Sequence, residues 1–146
     1  MDAQTVARRS LQADGAFCVT VGTAVLMARK TAARGLGVPV PLVVAAGGTT
    51  TLWGGGLFLA SGMDDWRAPT AVAAGVNTVT ADSLSLLALV RGRRGPRTSM
   101  LLLAGAVGAF GLVQGYAWLR GRSEDQRESM EDAPEESPTT WPGSPS

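Results

Sequence analysis

PTAVAAGVNTVTADSLSLLALV, Pro69 to Val90, runs without a basic residue. As a helix rising about 1.5 Å per residue it reaches past the ~30 Å hydrocarbon core of a bilayer. It nevertheless carries Asn77 and Asp82 inside it. An ionisable group near the middle of a span is costly in lipid, so it is expected to face protein or water. The rest of the chain must therefore supply further spans for this one to pack against.

It does so on both sides. No charged residue lies between Arg34 and Asp64, and none between Arg97 and Arg120. The mean hydropathy of +0.14 conceals these blocks, because the charges collect at the ends and joints. Val40 to Ala60 reads as a second span, with Pro41 in its first turn, where a missing N–H costs nothing. Its Gly- and Thr-rich centre suits close packing between membrane helices. Ser99 to Leu119 reads as the fourth span, closed by Tyr116 and Trp118 as an aromatic belt.

Leu11 to Ala28 reads as the first span, after a polar lead over residues 1–10. Arg8 and Arg9, an apolar run and small residues at 31–33 also fit a signal peptide. Arg29 and Lys30 stand where a cleavage region should be neutral, however, and Asp14 interrupts the start of the run. The segment is read as a retained span. Residues 29–39 form a basic connection, Met63 to Arg67 a short joint anchored by Trp66, and Arg91 to Arg97 an arginine-rich turn. Residues 121–146 hold acids, prolines, serines and threonines with no apolar periodicity, and are expected to be disordered. The expected fold is all-α: a transmembrane four-helix bundle with a disordered C-terminal tail.

Four spans place both termini on one side of the membrane. Six arginines fall on that side, and six arginines and a lysine on the other, so their total does not set the orientation. Short loops alone would put the two basic connections inside.

A formal net charge of +1 argues against a nucleic-acid partner. There is no histidine, Cys18 is the sole cysteine, and no phosphate-binding glycine loop occurs. No catalytic residue, cofactor or metal site is expected. All basic residues but Lys30 are arginine, and alanine and glycine are abundant, a composition that hints at a bacterial source.

Depth in the bundle singles out a polar layer. Counting from the terminal side, Asp14 lies roughly 5 Å into its helix, Gln114 roughly 8 Å and Asn77 roughly 12 Å. Trp53 and Thr51, at roughly 10 and 14 Å, lie near the same level. Asp14, Asn77 and Gln114 are therefore expected to meet, either as interhelical glue or as a small-molecule or proton site. Asp82 lies deeper, at roughly 20 Å. It shares a stripe with Ala71, Ala74, Thr78 and Ser85, a small and polar face suited to close packing or a wet crevice. The fourth span carries a further seam of small residues, Ala104, Gly108, Gly111 and Gly115. This seam is read as packing on the helix's own neighbours, with a dimer face as the alternative.

Asp14 at the start of the first span, the Trp66-Arg67 joint followed by Asn77, and Gln114 in the fourth span together resemble the small four-span bacterial integral membrane proteins of unassigned function. The likeness covers roughly residues 10–120. It implies a multi-pass protein of the bacterial plasma membrane and brings no activity with it. Small multidrug transporters also have four short spans but are built around a Glu in the middle of the first, where this chain has no acid. Two function classes follow. One is a non-enzymatic membrane protein with a structural or interaction role, meeting a protein partner through its tail or forming a homodimer. The other is a small transporter or proton-coupled carrier using Asp82, alone or as a dimer.

Overall fold

A computed structural model describes residues 2–90 and 94–131. Its elements are α1 (Ala3–Met27), α2 (Arg29–Leu36), α3 (Val40–Ser61), α4 (Arg67–Val90) and α5 (Arg94–Glu131). All but α2 are long and apolar enough to cross a membrane. The all-α four-helix bundle expected from the sequence is present. The first residues of the arginine turn, 91–93, and residues 132–146 of the expected tail lie outside the described residues.

Local chemistry sets the ends of the helices. The Asp2 carboxylate accepts the Thr5 N–H at 2.6 Å and caps α1. That bond holds the Asp2 carboxyl below its ordinary pKa, so the cap is present above the usual carboxylate range and is lost as pH falls through the lowered value. Gly37 ends α2 in the left-handed region at φ 66°, where a side chain would be strained. Pro41 sits in the first turn of α3. Asp65 accepts the Arg67 N–H at the start of α4.

Three boundaries differ from the sequence reading. The polar lead is helical: α1 starts at Ala3, and Ala3 and Ala7 are buried against Trp66 and Ala117. Alanine at every fourth position presents a flat strip on which an indole ring can lie. The basic connection contains the short helix α2. The third difference is in the tail, for which the sequence predicts disorder from residue 121. Instead α5 continues to Glu131. Gly121 lies directly on the Trp66 ring, Arg67 pairs with Asp125, and Arg120 reaches Glu124 one turn on at 3.1 Å. No proline intervenes before Pro134, so nothing breaks the helix at the bilayer surface.

α1 and α3 run antiparallel and approach at backbone distance. A Cβ on Gly15 would stand 2.8 Å from the Gly54 carbonyl oxygen, and one on Gly54 would stand 2.6 Å from the Gly15 oxygen. Gly22 and Gly47 repeat this contact about two turns deeper, with Thr51 beside them. α4 and α5 form the second antiparallel pair. Gly111 lies against Thr78, Ala74 and Asn77, and Gly108 against Ala81. Along the α5 seam Ala104 and Gly111 are buried and Gly108 is half-buried, while a Cβ added to Gly115 would meet nothing within 4 Å. The four residues lie on one helix face, and close contact with α4 is made at Gly108 and Gly111.

Bulky side chains turn outward. Leu52, Leu59, Leu102 and Leu112 are each more than 70% exposed, whereas the interior is mostly Ala, Gly and small polar groups. Soluble monomers rarely display apolar surface on this scale. A bundle solvated by lipid chains has no reason to hide leucine, and it gains by keeping small residues where helices touch. At the terminal end the charged groups form a belt. Arg8 donates to the Met63 carbonyl at 3.1 Å, Arg67 stacks on Trp66, and Arg122 stacks on Trp118.

Candidate functional site: a closed polar triangle and an outward acid

The two helix pairs meet where α1 crosses α4 and α5. Leu11, Leu57 and Ala73 pack there with Trp53, forming an apolar floor on the terminal side. One turn deeper stand Asp14 and Asn77, joined by Gln114 from the antiparallel α5. Asn77 Nδ2 donates to Asp14 Oδ2 at 2.6 Å and to Gln114 Oε1 at 3.0 Å. Gln114 Nε2 donates to the same Asp14 Oδ2 at 2.9 Å. Each side chain therefore touches the other two, in a triangle that spans three helices. Asp14 and Gln114 are fully enclosed, and Asn77 is 3% exposed.

A fourth group completes the site, one that the depth argument did not select. Cys18 lies one turn beyond Asp14 and directs its thiol at Asp14 Oδ1, with sulfur and oxygen 3.5 Å apart. The i, i+4 spacing from an acid was the available signal, since it puts both groups on one helix face. Gly15 and Gly54, in mutual backbone contact, hold α3 close against the α1 turn that carries Asp14.

Thr51 and Trp53 share the level but not the network. The Thr51 hydroxyl donates to the Gly47 carbonyl of its own helix at 2.9 Å. Trp53 lays its ring on Leu11, Leu57 and Ala73, and its enclosed Nε1–H meets no acceptor among the described residues. Among the described residues the triangle is a closed polar unit with no cation hydrogen-bonded to it. Its donors are amides and a thiol, its acceptors a carboxyl and an amide oxygen.

Asp82 stands apart from this unit. Its side chain is exposed on the outer surface of α4 and has no hydrogen bond or ion pair among the described residues. Ala74, Thr78 and Ala81, close to it on the helix, turn towards α5 and receive Gly111 and Gly108. The stripe around Asp82 is thus split between an inner part that packs and an outer part that does not. Gly75, Asp82, Leu86 and Leu89 are exposed along the outer part. Gly75 has open space beside it.

Comparison with protein-family models, with curated proteins and with solved structures finds no match to this chain.

Proposed function

We propose that this chain is a non-catalytic integral membrane protein of the bacterial plasma membrane, which works by assembling laterally with a second copy through the outer face of α4. The observation that carries this reading is the exposure of Asp82. The residue lies about 4 Å from the middle of the Pro69–Val90 span, at ~1.5 Å per residue. A carboxyl group at that depth is costly against lipid, and the bundle itself supplies it with no partner among the described residues.

A second copy meets the need by symmetry. Across a two-fold axis one residue meets its own image. A protonated carboxyl is both donor and acceptor, so two copies of Asp82 satisfy each other. Gly75, exposed two turns before it with open space beside it, lets two α4 helices approach closely. Within each copy the Asp14–Asn77–Gln114 triangle fixes the helix register that puts Asp82 outside. A proton-coupled carrier would instead hold Asp82 in a crevice inside the bundle, and its outward position favours assembly.

The test is energy transfer between donor- and acceptor-labelled chains in liposomes, followed as lipid dilutes the protein. Asp82→Leu is expected to weaken association about tenfold, the worth of one strong interhelical polar contact. Asp82→Asn, which keeps a donor and an acceptor, is expected to retain most of it. Equal transfer in wild type and Asp82→Leu, with helicity unchanged, would remove Asp82 from the interface.

A further inference from the structure

A groove of about 360 Å³ runs along the outer flank of α1 and α5. Arg9 and Ala13 line it from α1, and Ala106, Ala109, Phe110 and Val113 from α5. Alanines leave the space, and Phe110, tilted against Phe17 with ring centroids 5.6 Å apart, keeps the helices from closing over it. We propose that this groove holds one acyl chain of an anionic phospholipid, with its phosphate on Arg9.

Two observations point to that occupant. The first is length. Asp14 and Gln114 are hydrogen-bonded, so Ala13 and Val113 stand at nearly the same depth. From there the lining climbs α1 to Val6, and on α5 it descends to Ala106. At ~1.5 Å per residue, the two arms together measure roughly 20 Å. One leaflet of a ~30 Å hydrocarbon core is about 15 Å thick. The groove therefore runs from the headgroup level to about the bilayer centre, the path of a single chain.

The second observation is charge. Arg9 is exposed at the groove's outer end and has no hydrogen bond or ion pair among the described residues. Its neighbours are engaged differently: Arg8 holds the Met63 carbonyl, Arg67 holds Asp125, and Arg122 lies over Trp118. An uncommitted guanidinium beside an apolar groove has the geometry for a phosphate above a hydrocarbon chain, and the planar guanidinium binds phosphate through paired N–H groups.

The experiment uses the full chain in phosphatidylcholine vesicles containing spin-labelled phosphatidylglycerol or spin-labelled phosphatidylcholine. Electron spin resonance reads the motionally restricted fraction of each lipid. Restricted phosphatidylglycerol is expected to exceed phosphatidylcholine about fivefold, from one arginine at an anionic headgroup. Arg9→Gln should bring the two lipids level, whereas Arg122→Gln should leave the preference intact. Filling the groove with Ala13→Leu and Ala109→Leu should remove the restricted chain signal, with helicity unchanged. Preference that survives Arg9→Gln would overturn the headgroup assignment. Preference that survives the filled groove, or is abolished by millimolar inorganic phosphate while the filled groove changes nothing, would reduce Arg9 to a surface anion site and overturn the proposal.

Discussion

Asp14→Ala is expected to lower the unfolding free energy of the bundle by about 2–4 kcal/mol, because it strips the acceptor from two enclosed amide donors at once. The intact triangle itself stabilises the fold only modestly. At an average of about 0.6 kcal/mol per interhelical bond in membranes, its three bonds contribute roughly 2 kcal/mol. The loss on truncation is larger than this because Asn77 and Gln114 would then face each other and an empty site, with no water to take the bonds. Replacing all three residues by leucine removes donors and acceptor together, and should cost less than Asp14→Ala alone. Unfolding in mixed micelles, followed by far-ultraviolet circular dichroism, measures both variants. A triple replacement that costs more than Asp14→Ala would show that the polar groups do more than satisfy one another.

Gly54→Leu should be as damaging, by a different route. A Cβ on Gly54 already stands 2.6 Å from the Gly15 oxygen and 2.9 Å from the Cys18 Cβ, and backbone cannot step aside. Even Gly54→Ala is expected to cost about 1–3 kcal/mol as α1 and α3 part, and leucine more. Gly55→Ala is the control, since its added Cβ meets nothing within 4 Å, and it should stay within about 0.5 kcal/mol of wild type. The same titration separates them. Equal effects at the two positions would mean that α1 and α3 are not in backbone contact in the membrane.

The fold was legible where composition changes sharply. Uncharged blocks bounded by arginine and proline mark the spans, and helical rise alone put Asp14, Asn77 and Gln114 at one depth, where they meet. Depth says nothing about direction, however. Which face of α4 carries Asp82 depends on how that helix rotates against α5, and small residues lie on too many sides of both helices for periodicity to fix it. Along α5, Gly115 looks like Gly111 in sequence and shares its face, yet only Gly111 has α4 close against it. The helical lead and the extension past Gly121 depend on Trp66, whose ring gathers Ala3, Ala7, Ala117 and Gly121 from both ends of the chain. No local pattern announces a contact between residues so far apart.

Oxidative cross-linking in native membranes tests whether α4 presents Asp82 to a second copy. The cysteines are placed singly, in a Cys18→Ala background, at Gly75 and Leu86 on the Asp82 stripe and at Thr20 on the exposed face of α1. Disulfide-linked dimers are expected from positions 75 and 86, none from position 20, and loss of the former when Asp82→Leu is added. Dimers at all three positions, or dimers at 75 and 86 that persist without Asp82, would contradict that interface.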